Sequence, residues 1–347
     1  MSVRKWMPWL AVALVAILAL AVTSVGSAKP AASKAPAVAS KAGGEAIKVA
    51  LVTDIGGLDD KSFNFLANRG LARAKSQLGA QGRVFISKSN ADYVPNLVAA
   101  ARTYRADLVI GVGFLMAEAV AAVAKRYPDT KFAIVDFSAP GLKGKPKNAR
   151  GLLFAEQEAG YLAGVAAATV SKTGVVGSVG GQKIPPVDAF IAGYRFGAKK
   201  TKASIKTLNG YSQEFVAQDK CKEQALNQID QDADVVFQVA GQCGLGVLSA
   251  ARERNVWGIG VDADQGHIGA HVLTSAQKKV DVAVFATAQL VKAGRFKGGV
   301  DQVFNVKNNG VGYGKLSRRA PAGLKAKLDA AVRGIKSGTI KGIPRKV

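Results

Sequence analysis

From Ile47 onward the chain alternates short apolar runs with longer amphipathic stretches. Val- and Ile-rich runs stand at 47–53, 83–87, 107–112 and 132–136, and again at 174–179, 204–208, 234–240 and 256–261. Segments of helical period lie between them, among them 62–78, 115–126, 186–200 and 217–230. Continuous apolar runs predict strands covered on both faces, and helices between them predict parallel pairing. The expected fold class is α/β, with doubly wound parallel sheets. The pattern divides into two similar halves, 47 to about 150 and about 174 to 262, each holding four strand–helix units. Between them "RGLLFAEQEAGYLAGVAAATV" (150–170) reads as a strand feeding a long helix that carries a crossover. After 262 the pattern predicts a helix over 275–293, a strand over 301–306 and a last helix near 321–336. The first lobe is assigned 47–152 with about 264–297, the second 153–263 with about 298–347.

Two such lobes enclose a cleft between the carboxyl ends of two sheets, where open α/β sheets bind ligands. The residues that follow the strands are therefore the candidate chemistry. They are Asp54 with Gly56 and Gly57, Gly113, Asp136, Gly180 with Gly181, Gly241 with Gly244 and Gly246, and Asp262 with Asp264. Glycine lets a backbone approach a ligand closely, and aspartate accepts hydrogen bonds from hydroxyls. Phe63 and Asn64 open the first helix beside this edge. Phe63 and Phe215 both stand in polar contexts ("DKSFNF", "YSQEFVAQD"), where a buried-core role is a weaker expectation than usual for phenylalanine.

Charge and leader change the picture more than composition does. The 347-residue chain carries 48 Lys and Arg against 24 Asp and Glu, a net charge of +24. Such a charge raises nucleic acid as a partner. The basic residues are, however, spread along helices with no recognition helix or aromatic RNA-binding motif, so nucleic acid is not expected. A solvated surface drawn to anionic envelope polymers or lipid head groups is the expected meaning. Residues 1–28 have the layout of a signal peptide: Arg4 and Lys5, the apolar run 7–22, and small residues at 25–28. A retained anchor is the alternative. The Ala-, Pro-, Ser- and Lys-rich stretch 29–46 reads as a flexible linker. The folded part is thus expected outside the cytoplasm, in the periplasm or on the outer face of the cell membrane.

The motifs present exclude more chemistry than they indicate. No G-x-G-x-x-G follows the first strand and no G-x-x-x-x-G-K-[ST] occurs, so neither a dinucleotide nor a triphosphate fingerprint is present. "HIGAH" (267–271) spaces two histidines as a metal-binding helix would, but a glycine lies between them, and it reads as a surface loop. No cofactor and no metal are expected.

Five stretches then acquire meaning together: "VALVTDIGGLDDKSFN", "VIGVGFLMAEAV", "NARGLLFAEQEAGYLAGVAAA", "GSVGGQKIPPVDAFIAGYRFG" and "GIGVDADQ…VLTSAQKKVDVAV". In this order the chain, from about Ile47 to about Lys315, closely resembles the basic membrane protein family of ABC-transporter substrate-binding proteins, which includes bacterial purine nucleoside receptors. The resemblance implies a type I periplasmic-binding-protein fold, two lobes closing on a ligand. It also implies roles. Asp54 and Asn64 would contact the nucleoside from the first loop, and Phe63 would stack on the base. Asp136 looks like the base-recognising aspartate, and Phe215 lies where a second ring would close over the base. Gly241 and Asp262 resemble the ribose-side residues, and Lys278 matches the lysine after "TSA". Two features depart from the family: the lipobox cysteine is missing, and "GQCGLG" carries a cysteine many relatives lack.

The expected function is non-enzymatic: capture of a nucleoside, of purine type by the resemblance, and delivery to an ABC permease with its ATPase, by a monomer. The same fold binding a sugar or another small polar solute, with a signalling role, is the alternative; an exported hydrolase using Asp54 and Asp136 is a third reading, against which no nucleophile–base pair is visible. The chain's two cysteines, Cys221 and Cys243, are 22 positions apart. A helix of a βαβ unit starts at the same sheet edge at which the next strand ends, so the two thiols should be neighbours. Export to an oxidising compartment would let them pair; two free thiols are the alternative.

Overall fold

Val49, Ala50, Leu51 and Val52 are wholly buried in the first strand, β1 (Lys48–Val52), because helices cover both faces of its sheet. The computed structural model describes residues 46–347. The expected leader (1–28) and all but Ala46 of the expected linker (29–46) lie outside the described residues. After β1 come α1 (Phe63–Leu78), β2 (Gln81–Phe85), α2 (Tyr93–Val98), β3 (Leu108–Gly111), α3 (Ala117–Arg126), β4 (Lys131–Val135) and β5 (Ala149–Phe154). The second lobe follows with α4 (Glu156–Val170), β6 (Val175–Gly180), α5 (Pro185–Thr201), β7 (Lys206–Thr207), β8 (Gly210–Tyr211) and α6 (Gln218–Ile229). Then come β9 (Val235–Val239), α7 (Gly244–Glu253), β10 (Trp257–Asp262), β11 (Val272–Lys278) and α8 (Val280–Lys292). The last elements are β12 (Asp301–Phe304), β13 (Val311–Tyr313) and α9 (Leu324–Ser337).

The first sheet has the order β12-β5-β4-β3-β1-β2 and is parallel throughout. The second has the order β13-β11-β10-β9-β6-β7, with β8 also on β6, and only β13 runs antiparallel. The α/β class with doubly wound parallel sheets is therefore present as the pattern predicts.

Several local expectations need correction. The residues 272–278 form a strand, not the start of a helix over 275–293; "VLTSAQK" is buried along almost its whole length between β10 and β13, and α8 begins only at Val280. Consequently the chain leaves the second lobe after Lys278, not near 264. Helix α8 then packs on α1, where a Cβ on Gly70 would lie 2.6 Å from the Asp281 carbonyl oxygen. Strand β12 joins the first sheet, so the return to the second lobe comes after Phe304 and not near 298. The second strand, expected at 83–87, is Gln81–Phe85, and the apolar run at 204–208 pairs only over Lys206–Thr207. His271 of "HIGAH" is buried, just before β11, whereas His267 is exposed.

The three crossovers lie side by side and tie to one another. The Ala155 N–H donates to the Phe304 carbonyl (2.8 Å), and the Lys279 N–H to that of Gly310 (2.9 Å). Behind them α4 and α5 touch backbone to backbone: a Cβ on Gly160 would sit 2.1 Å from the Phe190 carbonyl oxygen, and one on Gly193 2.1 Å from that of Gln157. Glycine is required at both positions, and this close approach sets Glu156 and Phe190 beside the cleft.

Candidate ligand-binding site

The turn after β1 carries Asp54, whose position is fixed from both sides. The Asn64 Oδ1 accepts the Asp54 N–H (3.0 Å), and the Asn64 amide donates to the carbonyls of Asp54 and Ile55 (3.3 Å each). Asp54 Oδ1 accepts the Ile55 N–H (2.8 Å) and the Tyr93 hydroxyl. Gly113 (φ 122°) presses against the other oxygen: a Cβ there would come within 2.2 Å of Asp54 Oδ2. Burial raises the Asp54 pKa to about 6, against the opposing bonds from Tyr93 and Ile55. Asp60 holds the start of α1, its carboxylate accepting the N–H groups of Ser62 (3.0 Å), Asn64 (2.7 Å) and Phe65 (3.0 Å). That cap orients Phe63, the first residue of the helix.

Two aspartates end equivalent strands in an unusual backbone conformation. Asp136 after β4 has φ 71° and Asp262 at the end of β10 has φ 59°. This left-handed region costs most L-residues energy and is visited by Asp more readily than by others. It turns both carboxylates toward the cleft. Lys278, 2% exposed at the end of β11, places its Nζ 2.6 Å from Asp136 Oδ2 and 3.2 Å from Glu156 Oε1. The same Nζ lies 5.1 Å from the ring centres of Phe63 and Phe154, and 5.8 Å from that of Phe190. Burial pulls the Lys278 pKa down, but Asp136, Glu156 and Asp262 together outweigh it and hold the ammonium above its ordinary value. Burial raises the carboxyls of Asp136 and Glu156 despite that ammonium, and raises Asp262 to about 7 despite Lys278 and a hydrogen bond from Ser62. Asp136 Oδ1 is buried with no hydrogen-bond partner.

Asp54, Asp60, Phe63, Asp136, Asp262 and Lys278 line one cavity between the lobes, with about 600 Å³ of space free of protein atoms, its open mouth included. The lobes meet across it. Ser62 Oγ donates to the Val261 carbonyl (3.1 Å) and to Asp262 Oδ2 (2.9 Å), and Gln265 Nε2 to the Lys61 carbonyl (3.3 Å). Phe215 enters from the loop before α6, over Gly181, where a Cβ would meet its ring at 2.4 Å. Its carbonyl accepts the Cys243 N–H (3.0 Å), and Cys221 and Cys243 form a disulfide with Cα atoms 5.6 Å apart. The bridge closes a loop that contributes about 3 kcal/mol in the chain-entropy model, and it braces the segment bearing Gly241.

The model of the Bmp family, described as "ABC transporter substrate-binding protein PnrA-like", matches residues 47–340. The chain belongs to the Bmp family. It is 36% identical over 309 residues to the "ABC transporter nucleoside-binding protein BmpA" of Lactococcus lactis subsp. cremoris, covering 82% of this chain and 86% of that one. It is 31% identical over 293 residues to "Basic membrane protein A" of Borreliella burgdorferi, covering 83% and 85%. A solved ABC transporter solute-binding protein from Aeropyrum pernix K1 superposes with a TM-score of 0.78 at 28% identity, covering 86% of this chain and 94% of that one. This Bmp protein is thus a substrate-binding protein of an ABC transporter with a small-molecule ligand and a permease partner, and it is not an enzyme.

The structure brings the eight residues given a ligand-contact role, Asp54, Phe63, Asn64, Asp136, Phe215, Gly241, Asp262 and Lys278, to the wall of that one cavity; of the other strand-end candidates Gly113 lines it too, whereas Gly56, Gly57, Gly180, Gly181, Gly244, Gly246 and Asp264 do not. Asn64 differs from the rest in how it is used: its amide is spent on the Asp54–Ile55 backbone, so it shapes the first loop. Sequence reasoning did not assign roles to Asp60, Phe190, Gln242 or Phe114, which also line the cavity, nor to Glu156 and Tyr93, which hold its charged groups. Asp60 had a readable signal, an acid just ahead of a helix start. Phe190 sits inside α5 and Tyr93 opens α2, both buried, and nothing local distinguishes them from core residues.

Proposed function

We propose that this Bmp protein captures a purine nucleoside in the interlobe cavity and presents the closed form to its permease and the attached ATPase, acting as a monomer outside the cytoplasm. The observation that carries the reading is Asp136, which lines a cavity together with Phe63 and Phe215 and whose Oδ1 is buried without a partner. A buried unpaired acceptor is costly, and a nucleobase N–H between two rings relieves that cost. The relative from Lactococcus named for nucleoside binding supports the same class. Charge narrows it further. Although the chain carries +24, the cavity wall holds Asp54, Asp60, Asp136 and Asp262 against Lys278. Such a wall disfavours phosphate and favours a neutral ligand rich in hydroxyl and amine donors. Asp262 and Asp54 then receive ribose hydroxyls, while the basic exterior draws the protein to anionic envelope surfaces.

A thermal-shift panel of nucleosides, free bases, pentoses and nucleotides tests the reading. Purine nucleosides should stabilise the protein by about 2.7 kcal/mol at 100 times their dissociation constant. Stabilisation by ribose and not by nucleosides would move the ligand to the sugars, and preference for nucleotides would contradict the acidic wall.

A further inference from the structure

The acidic wall is tied to a residue far outside it. Beyond α9 the chain runs back along the crossovers, and Arg345 there makes three contacts at the junction of β5 and α4. Its Nη1 donates to Gln157 Oε1 (2.8 Å), and its Nη2 donates to Glu156 Oε2 (3.1 Å) and to the Phe154 carbonyl (3.3 Å). Glu156 is 2% exposed, and its other oxygen pairs with Lys278. Lys278 in turn holds Asp136 Oδ2 at 2.6 Å, and Asp136 lines the cavity with its Oδ1 buried and unpaired. Four alternating charges therefore run in line from the surface to the site: Arg345, Glu156, Lys278 and Asp136.

We propose that Arg345 is a positioning residue for the ligand site, holding Glu156 so that Lys278 stays committed to Asp136 and Asp136 keeps its free oxygen turned to the ligand. The inference rests on the nucleoside reading for the identity of that ligand. Its physical basis is charge balance in a dry place. With Arg345 the buried acids Asp136 and Glu156 face two cations; without it they share one ammonium. A buried carboxylate that loses a partner takes up a proton or competes for the remaining cation. Either response loosens the grip of Lys278 on Asp136. The other charges near this line are Asp262, which acts on Lys278, and Glu158, on which both Arg345 and Lys307 act. Glu158 is occupied by the Val306 N–H (2.7 Å), so it does not replace Glu156. Arg345 itself is half exposed, with 54% of its side chain accessible, so its loss opens no core cavity.

The test uses the full chain and the tightest binder among adenosine, guanosine and inosine, measured by calorimetry. Arg345→Ala should weaken binding about five- to tenfold with little change in melting temperature, as expected for a part-exposed partner of a buried charge. Arg345→Lys should recover most of the loss. On a Glu156→Gln background the same Arg345→Ala change should have no further effect, since the two residues act in series. Binding by Arg345→Ala within twofold of the parent protein overturns the proposal, and so does an equal loss on the Glu156→Gln background. Should none of the three nucleosides bind the parent protein, the nucleoside reading fails, and a second measurement decides the inference alone. Carbon-13 carboxyl titration of the unliganded protein should place the Glu156 midpoint higher in Arg345→Ala than in the parent. An unchanged midpoint overturns the proposal.

Discussion

The two lobes share one strand order, so their strand ends can be compared in pairs. β3 and β9 are followed by glycines of positive φ, Gly113 and Gly241, and β4 and β10 by the left-handed aspartates Asp136 and Asp262. Where β5 leads into its crossover stands Glu156, and where β11 does stands Lys278, and these two pair with each other. The lobes part at the inner strands β1 and β6. The first ends at Asp54, braced by Asn64 and Tyr93; the second ends at Gly180 and Gly181, whose missing side chains make room for Phe215. A common frame thus presents a carboxylate on one side and an aromatic cover on the other. In the proposed binding mode the polar side would supply direction through hydrogen bonds, and the covering side would exclude water, which strengthens those bonds.

The largest break in this comparison is expected from Asp136. Asp136→Asn keeps the size of the side chain but removes the charge that pairs with Lys278 and the second acceptor oxygen. Hydrogen bonds to charged groups contribute about 1.5–3 kcal/mol, so nucleoside affinity should fall on the order of 100-fold in calorimetry. A loss below about fivefold would show that the free oxygen is not the anchor, and would move direction-setting to Asp54 or Asp262.

Next in size are the rings. Phe63→Ala and Phe215→Ala should each weaken nucleoside binding about tenfold, since a stacked base face contributes about 1–3 kcal/mol. They should differ in kind. Phe63 sits on a rigid capped helix and also faces the Lys278 ammonium at 5.1 Å, so its loss should speed dissociation and disturb the charged side as well. Phe215 rides on the bridged loop of the covering lobe, so its loss should leave the Asp136–Lys278 pair untouched. Stopped-flow release rates check this, and unchanged affinity in Phe63→Ala would remove that ring from the site.

How much of this arrangement could be read in the sequence follows from where its signals are local. Strand ends are marked by residues that sit next to apolar runs, so Asp54, Asp136, Gly241 and Asp262 were legible from pattern alone; polar contexts marked the two rings, and the family resemblance added Lys278 and the stacking roles of the rings. The cysteine pair was legible from topology, because a helix start and a strand end share one sheet edge. What escaped depends on contacts distant along the chain. "VLTSAQK" has a polar half, and only its place between β10 and β13 makes it a strand, so the lobe boundaries shifted with it. Glu156 looks like an ordinary first-turn acid, and its burial between Lys278 and Arg345 joins positions 156, 278 and 345.

A smaller effect separates the two left-handed aspartates from the rest of the acidic surface, and it concerns the unliganded protein. Burial raises Asp262 to about 7, above an ordinary carboxyl, so its contribution to stability is fully present at low pH and is lost as pH rises through about 7. Acids held below the ordinary range, such as Asp92 by the N–H groups of Lys88 and Ser89, act in the opposite sense, so the whole-protein profile mixes both. Asp262→Asn isolates the one group, because asparagine keeps an acceptor for Ser62 Oγ and cannot ionise. Its melting temperature should exceed that of the parent above pH 7 and converge with it toward pH 4. A gap that stays constant with pH would mean that Asp262 is not charged against its burial.

The smallest effect is expected from salt, and it contrasts the cavity with the exterior. The ligand proposed is neutral, and the groups that would bind it are buried and paired, so ions in solution have little to screen. Raising salt from about 0.05 to about 0.5 M, which shortens the screening length from about 14 to about 4 Å, should change nucleoside affinity by less than about twofold. The exterior should behave in the opposite way. Among the described residues every Lys and Arg but Lys278 is exposed or half-buried; attraction of such a surface to anionic lipid depends on unscreened charge, so sedimentation with phosphatidylserine vesicles should collapse over the same range. Parallel curves for the two measurements would join what the cavity wall separates: they would mean that the occupant is anionic, and that Lys278 rather than Asp136 meets it.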